Sequence, residues 1–300
     1  MSTLREIRRR IRSIKNISQV TRAMQMVAAA KMRRAQEQVL GTRPYAEKAW
    51  EMLVHLAGQS TPGQPGHPLL QSRSVETVGF LLITADKGLC GAYNQNMIRM
   101  AFDYVERSSV PVKLVVVGRK GRDYMRRAGL DIVAEFVDLP SQPGINDITP
   151  ISRLLLDDFL GGAVDQVVLG YTHFVNTLSQ YPTIQPLLPV RYAAENGPHQ
   201  AGEAAPASAV EGGVEYIYEP DPHTILDTVV PRFTEIQIYQ AMLEAVASEH
   251  SARMVAMRNA TENADSLMES LTLSYHQARQ AAITREMLDI ASGAEALQSA

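Results

Sequence analysis

The first forty residues carry apolar side chains at steps of three and four, which is the spacing of one buried stripe on an α-helix. The stripe consists of Leu4, Ile7, Ile11, Ile14, Ile17, Val20, Met24 and Val27. It predicts a helix from Ser2 or Thr3 to about His55, ~80 Å long, with a bend expected near Gly41 and Pro44. We interpret the stripe as a coiled-coil seam, in which successive steps of three near its middle predict local overwinding.

A second periodic stripe runs through the last seventy residues. From His250 onward its members are Met254, Met257, Thr261, Ala264, Met268, Leu271, Tyr275, Ala278 and Ala282. The predicted helix, Thr224 to Leu297, would reach ~110 Å, which is longer than a globular domain needs, so it must pack on another helix. The first helix is the available partner. If both join one face of the middle region, they form an antiparallel two-helix coiled coil, with an imperfect seam of small and flexible residues whose outer surface also makes contacts.

Short β-branched runs alternate with helical patterns between these two helices. Strands are predicted over 77–84, 113–117, 166–171, 184–192 and 214–218, and helices over 92–107 and 151–159. This alternation predicts a Rossmann-like, mostly parallel α/β domain. We therefore expect an amino-terminal coiled-coil helix over 1–58, a central α/β domain over 75–219 that we call the foot, and a carboxyl-terminal helix over 221–300. Residues 193–213 lack large apolar side chains and are expected to form a flexible loop.

The charge of the chain is divided unevenly between its ends. Residues 1–40 contain ten arginines and lysines and only two acidic residues, whereas residues 224–297 contain ten acidic residues and five arginines. The whole chain has a net charge of −3, which hides this difference. The basic end is therefore expected to face an acidic partner.

No pattern has the spacing of a catalytic or metal site. The segment from Asp86 to Ala92 follows a predicted strand, where α/β folds often bind phosphate, but it lacks the glycine spacing of nucleotide-binding motifs. The segment from Gly118 to Arg122 is a short glycine-basic turn, and at both places a structural turn is favoured over nucleotide binding. The seven histidines show no zinc-site pairing, so no cofactor is expected. The single Cys90 fits a buried thiol in a reducing compartment.

Nucleic acid and direct membrane insertion are both disfavoured. The arginines of the first helix could bind phosphates, but one face of that helix is used for packing and no aromatic residues are interleaved for base stacking. No apolar run reaches the ~20 residues that span a bilayer, and the arginine-rich start is not a secretory signal.

Three segments carry a resemblance to a known family. Residues 283–296 read Ile-Thr-Arg-Glu-Met-Leu-Asp-Ile-Ala-Ser-Gly-Ala-Glu-Ala and fit the pattern I-T-x-E-x-x-D-x-x-x-G-A. Residues 21–32, 86–94 and 248–263 also follow the sequence pattern of the same family. On these segments the chain resembles the gamma subunit of F-type ATP synthases over essentially its whole length.

The resemblance implies a non-catalytic central-stalk rotor. Its partners would be three alpha and three beta subunits around the coiled coil, the epsilon subunit, and the membrane c-ring beneath the foot. Proton flow through the c-ring would turn the rotor and drive ATP synthesis or hydrolysis at the beta subunits. The complex would lie on the cytoplasmic face of a bacterial plasma membrane, with this chain peripheral to it.

The resemblance also assigns residues to these partners. The alpha and beta ring would contact Met24, Arg33, Arg34, Arg253, Arg279, Gln280, Thr284 and Glu286. An apolar bearing would hold the end of the chain from Ile290 to Leu297. A turn of the foot on the epsilon and c-ring side would comprise Asp86, Lys87, Gly88, Cys90 and Gly91.

Two other classes stay open on the residues alone. A nucleotide-dependent α/β enzyme would bind a nucleotide as an isolated chain, and a free-standing coiled-coil scaffold would be stable without partners. Plant chloroplast relatives of the family carry a cysteine pair in a regulatory insert. Residues 193–213 contain no cysteine, so thiol switching is not expected.

Overall fold

The computed structural model describes residues 4–58, 67–190 and 222–298. The helices are α1 (Leu4–Gly58), α2 (Tyr93–Arg107), α3 (Arg119–Arg127), α4 (Ile145–Leu160) and α5 (Pro222–Gln298), with a 3-10 turn at Pro68–Leu70. The strands are β1 (Val78–Ile83), β2 (Val112–Val117), β3 (Ile132–Phe136), β4 (Gln166–Phe174) and β5 (Gln180–Leu188). The predicted loop at 193–213 and the predicted strand at 214–218 lie outside the described residues.

The chain divides into two compact units, which are described separately. One unit comprises the described residues of Met1–Ala29 and Arg253–Ala300, and the other comprises Ala30–Ala252. The first unit is a helix pair, and the second contains the sheet. Helices α1 and α5 contribute residues to both units, and α1 is helical on both sides of Pro44.

The helix-pair unit is an antiparallel two-helix coiled coil, as predicted. Three side-chain pairs bridge its helices: Arg8 with the Tyr275 hydroxyl, Ser18 with Asp265 at 2.7 Å, and Thr21 with Thr261 at 2.7 Å. As the residue number rises along α1, that of its partner on α5 falls by a similar amount. The two helices therefore run in opposite directions.

The seam of α1 differs from the predicted stripe in its second half. Ile17, Val20 and Val27 are 51%, 57% and 57% exposed, and Ser18 and Thr21 lie in the seam instead. The seam thus keeps alternate steps of four and three, which removes the reason for local overwinding. The prediction was wrong here because it admitted only apolar residues to the seam.

The seam of α5 agrees with the prediction over most of its length. Its members from Met254 to Ala278 are buried or half-buried, and only Ala282 is exposed. Met257 and Thr261 are among the most deeply buried. The steps of four and three therefore identify the packed face of α5 in this unit.

The second unit is built on a five-stranded sheet with the order β3-β2-β1-β4-β5. The pairs β1–β2, β1–β4 and β2–β3 are parallel, and β4–β5 is antiparallel. All six residues of β1 are buried, as a central strand covered on both faces requires. The prediction of a mostly parallel α/β domain is confirmed.

Helices cover both faces of this sheet, because successive side chains of each strand point to opposite faces. One face contributes Phe80, Leu82, Leu114 and Val116 to a core with α2 and α3. The other contributes Leu81, Ile83, Val115 and Val117 to a core with α4, α5 and the end of α1. Trp50 of α1 packs near Phe233 of α5, with ring centroids 5.5 Å apart.

Sequence reasoning missed two elements and displaced a third. Helix α3 was read as a short turn, because its sequence is mostly charged and only Gly121 and Met125 are buried. Strand β3 was not predicted, because it is a short edge strand with alternating burial. Strand β5 covers Gln180–Leu188 and not 184–192, since two prolines weaken its propensity signal.

Asp165 joins the amino ends of β1 and β4. Its carboxylate accepts hydrogen bonds from the amides of Glu76 at 2.9 Å and Thr77 at 3.0 Å, and its own amide donates to the Thr77 carbonyl. The two amides, assisted by the charge of Arg73, hold the pKa of Asp165 below its ordinary value. A carboxylate of this kind stabilises the fold above its unfolded-state pKa, and this contribution is lost as the pH falls through its folded-state pKa.

We expect Asp165→Asn to lower the free energy of unfolding at pH 7, and we expect this difference to shrink as the pH falls through the lowered folded-state pKa of Asp165. Urea titrations between pH 7 and pH 2.5 measure this difference. Asp131→Asn is the matched control, since Asp131 is exposed and its side chain has no partner among the described residues. A difference for Asp165→Asn that stays constant over this pH range would contradict the assigned role.

Candidate functional site

The outer surface of α1 carries both apolar and basic side chains. In the helix-pair unit, Ile17, Val20 and Val27 form an exposed stripe with the half-buried Met24, at steps of three and four. An exposed apolar stripe of this length indicates a surface that a partner covers. The sequence pattern assigned all four residues to the seam within the chain, and the family resemblance also assigned Met24 to the surrounding ring.

Arg33 and Arg34 belong to the sheet-containing unit, and both are exposed. Neither makes an ion pair or hydrogen bond with any residue that the structure describes. The neighbouring Met32 and Ala35 are buried, so α1 keeps its packed face here while it presents the two guanidinium groups to the outside.

The last described turns of α5 are exposed on every side. All side chains from Arg279 to Ser292 are exposed, and they include four large apolar ones, Ile283, Met287, Leu288 and Ile290. Exposed large apolar residues of this kind are typical of a helix that binds a partner.

The predicted contact residues of α5 fall into two groups. Gln280, Thr284 and Glu286 lie in the exposed segment with Arg279, whereas Arg253 is half-buried and has interactions of its own. The side chain of Leu297 lies outside the described residues.

The predicted foot turn is organised by the carboxylate of Asp86. One oxygen accepts from the amide of Arg119, the first residue of α3, at 3.0 Å, and the other accepts from the amide of Asp138, after β3, at 3.1 Å. The loops that follow β1, β2 and β3 are therefore tied by one half-buried side chain. Lys87 and Gly91 are exposed, and Gly88 is half-buried.

Cys90, in the same turn, is a structural thiol. Its side chain is 1% exposed and packs with Ala85, Tyr93 and Ala252. The Asn94 amide nitrogen lies 3.2 Å from its sulfur, while the Asn94 oxygen accepts from the amide of Ala85 at 2.9 Å. Burial among apolar groups makes such a thiol unreactive.

The glycines that might have formed a phosphate cradle are used for packing instead. Gly118 has φ +94°, and a Cβ there would lie 2.2 Å from the carbonyl oxygen of Thr84. The Gly121 amide donates to the Thr84 hydroxyl at 3.0 Å, and that hydroxyl donates in turn to the Val117 carbonyl at 2.9 Å. Small residues therefore let α3 approach the end of β1, and no open anion site is left at these amides.

Helix α5 occupies the side of the sheet beyond the carboxyl ends of β1 and β4, where doubly wound folds bind ligands. The Tyr93 hydroxyl donates to the Ala245 carbonyl at 3.1 Å. The Ser248 hydroxyl donates to the Thr172 carbonyl at 3.1 Å, and the Ser251 hydroxyl donates to the Thr177 carbonyl at 2.7 Å. These hydrogen bonds hold α5 in the position where such folds bind a substrate.

A contact between the buried Glu244 and the half-buried His173 fixes the same part of α5 to β4. Glu244 is 3% exposed, and its carboxylate lies 2.6 Å from Nδ1 of His173 and 3.4 Å from the amide nitrogen of Gln240. The adjacent Tyr171 is buried, and burial together with the Glu244 charge raises the pKa of its phenol. Tyr171 therefore stays neutral, and the pair forms a fixed polar contact in an otherwise apolar core.

Two further features bear on function. Among the described residues, no group of three or more histidine, cysteine or acidic side chains could hold a metal ion. None of the described helices combines the length and the apolarity that crossing a membrane requires.

Comparisons with known proteins agree across the length of the chain. The family model described as ATP synthase matches residues 3–297. The ATP synthase gamma chain of Dehalococcoides mccartyi strain CBDB1 is 48% identical over 99% of this chain and 100% of its own length, and that of Roseiflexus sp. strain RS-1 is 46% identical over 99% of both. A chain of the Euglena gracilis mitochondrial ATP synthase, solved with OSCP, F1 and c-ring, has a TM-score of 0.67 at 21% identity, covering 99% of this chain and 95% of that one.

We expect Asp86→Ala to destabilise the sheet-containing unit by about 2 kcal/mol, because two backbone amides lose a charged acceptor. Denaturant unfolding followed by the single tryptophan, Trp50, reports on this unit. The adjacent Lys87→Ala is the control, since Lys87 is exposed and its change should stay within 0.5 kcal/mol, as roughly expected for a surface site. Equal stability of Asp86→Ala and Lys87→Ala would show that the carboxylate does not hold the three loops.

Proposed function

The chain belongs to the ATP synthase gamma chain family, and we propose that it is the central-stalk rotor subunit of a proton-translocating F-type ATP synthase. The observation that carries this proposal is the antiparallel helix pair with its apolar residues on the outside. A protein that functioned alone would bury Ile17, Val20 and Val27, whereas a helix pair enclosed by other subunits presents them.

The proposed mechanism depends on asymmetry. A single helix pair inside a ring of three alpha and three beta subunits cannot make the same contacts with each beta subunit. Each catalytic site therefore has a different nucleotide affinity, and rotation of the helix pair exchanges these states. Proton flow through the c-ring would supply the rotation, and rotation would release ATP.

The subunit itself is proposed to be non-catalytic. Helix α5 covers the crevice in which α/β folds of this kind bind ligands, and Gly118 and Gly121 pack against Thr84. These contacts also count against the nucleotide-dependent enzyme that the sequence left open. The free-standing scaffold is disfavoured by the exposed end of α5.

The partner surfaces are proposed residue by residue. The alpha and beta ring would contact Met24, Arg33, Arg34, Arg253, Arg279, Gln280, Thr284 and Glu286. Ile290 and Leu297 would lie in the apolar bearing. The turn of Asp86, Lys87, Gly88, Cys90 and Gly91 would lie on the epsilon and c-ring side, where the exposed Lys87 and Gly91 supply the contacts and the buried Cys90 supports them. The assembled complex would lie on the cytoplasmic face of a bacterial plasma membrane, with this chain peripheral to it.

Affinity purification of the full chain from its own cells tests the class of function. We expect the chain to co-purify with alpha and beta subunits at three copies of each per copy of this chain, together with epsilon and the c-ring. Quantitative mass spectrometry measures these ratios. An isolated chain that binds ATP and carries no alpha or beta subunit would establish the enzyme instead of the rotor.

Arg33 and Arg34 are proposed to face acidic side chains of beta. The double variant Arg33→Glu/Arg34→Glu should lower ATP-driven proton pumping severalfold relative to ATP hydrolysis, because like charges placed opposite each other cost several kcal/mol. Pumping in inverted vesicles and hydrolysis in the same sample give the ratio. Arg153→Glu, a charge reversal at an exposed position of α4, is the control and should leave the ratio unchanged. An unchanged ratio in the double variant would remove these arginines from the coupling surface.

A further inference from the structure

An open pocket of about 850 Å³ lies against α2, on the face of the sheet opposite α4. Its apolar lining includes Val78 of β1, Val110, Met100 of α2 and Ile184 of β5. The volume falls in the range of about 300–1,000 Å³ that is typical of small-molecule sites. None of these residues belongs to the partner surfaces proposed above.

Two guanidinium groups line this pocket without partners. Arg99 and Arg107 lie eight residues apart on α2, so both stand on the same side of the helix. Neither makes an ion pair or hydrogen bond with a residue in the described ranges. Asp103 lies between them on the same lining, and the pocket therefore holds one more positive charge than negative.

The pocket also offers a neutral hydrogen-bond donor. Tyr104 packs its ring against Phe80 at a centroid distance of 5.3 Å, and its hydroxyl has no partner in the part of the chain that the structure describes. Burial raises the pKa of this phenol, so it keeps its proton and can donate to an anion.

Strand β5 forms one wall of the pocket and is an edge of the sheet, but it is protected against a peptide that would add as a sixth strand. Pro182 and Pro186 pair with Thr172 and Val168 of β4, and proline has no amide proton to donate. In an edge strand, proline is accommodated where its missing N–H would point away from the neighbouring strand. If the prolines of β5 stand at its free edge, that edge lacks two of the amide donors that strand addition would use, and this favours a small ligand over an extended peptide.

We propose that this pocket binds an amphipathic organic anion, with its apolar body on Val78, Val110 and Ile184 and its charged group at Arg99 or Arg107. The pocket supplies an apolar floor, a cationic rim and one neutral donor, which is the combination that an aryl or alkyl sulfonate, carboxylate or phosphate ester needs. This site is independent of the proposed rotor role.

Titration of the full chain with 8-anilinonaphthalene-1-sulfonate tests the proposal. The methyl NMR signals of Met100 and Ile184 should shift saturably at concentrations that leave the methyl of Met287 unmoved. Met287 is the internal control because it is an exposed methionine on α5, far along the chain from the pocket residues. Equal response of all three methyls would mean non-specific adsorption to apolar surface and would overturn the proposal.

Charge variants make the test specific. Arg99→Gln and Arg107→Gln should each weaken binding about threefold and together about tenfold, since exposed ion pairs contribute less than ~1 kcal/mol each. Asp103→Asn should strengthen binding about twofold, because it removes a repulsive charge at a similar exposed site. Arg153→Gln on α4 is the matched control and should have no effect.

The same titrations separate a small ligand from a protein partner. If the Arg99 and Arg107 variants bind the sulfonate with the same affinity as the Arg153→Gln control, the anion proposal is wrong. If the Met100 and Ile184 methyls respond to purified epsilon subunit and not to the sulfonate, the surface is a protein interface and the proposal is overturned as well.

Discussion

The attachment of α5 to strand β4 is the contact on which the rest of the sheet-containing unit depends. Glu244 is buried against His173, and one and two turns further along α5, Ser248 and Ser251 donate to backbone carbonyls near the end of β4. A carboxylate buried to this extent is costly without its partner, so α5 cannot slide along the sheet without losing its most specific bonds. Under the proposed rotor role, this attachment is what makes the sheet and the helix turn together.

The helix-pair unit is held by a different kind of contact. Its seam contains the hydroxyl pair of Thr21 and Thr261 and the bond from Ser18 to Asp265, with small side chains such as Ala28 beside them. Polar seam contacts specify register more than they add stability, since each replaces a hydrogen bond to water. The exposed apolar side chains of α1, which could have strengthened this seam, lie outside it. Under the proposed rotor role, the helix pair therefore depends for part of its stability on the subunits that surround it.

The sequence predicted those parts of the fold that depend on local pattern. Strand β1 could be found because six consecutive apolar residues require burial on both faces, and α5 because its seam repeats for many turns. The seam of α1 was placed wrongly after Ile14, because the pattern offers Ile17 as an apolar step of three and Ser18 as a polar step of four. Ser18 lies in the seam because its hydroxyl donates to Asp265 of α5, and this long-range contact cannot be read from the local pattern.

The foot turn shows the other limit of sequence reasoning. Asp86 could be recognised as part of a turn, but its partners lie 33 and 52 residues further along the chain and are backbone amides, which every residue has. Helix α3 was missed for a related reason. Its nine residues are largely charged, and it is held in place by a backbone approach to Thr84 that leaves no hydrophobic pattern in the sequence.

The same approach of Gly118 and Gly121 to Thr84 occupies the place that a bound phosphate would take in a nucleotide-binding fold. In nucleotide-binding relatives of the architecture, glycines after a strand bring backbone amides close to a phosphate. Here Gly118 and Gly121 make the same kind of close approach, but to Thr84, and α5 closes the neighbouring crevice through Tyr93. Under the proposed non-catalytic role, the ligand position is filled by the protein's own helix and the chemistry is supplied by other chains. The outer surface remains available for partners. It carries Arg33 and Arg34, which make no ion pair within the described residues, as well as exposed apolar residues such as Ile17 and Val20.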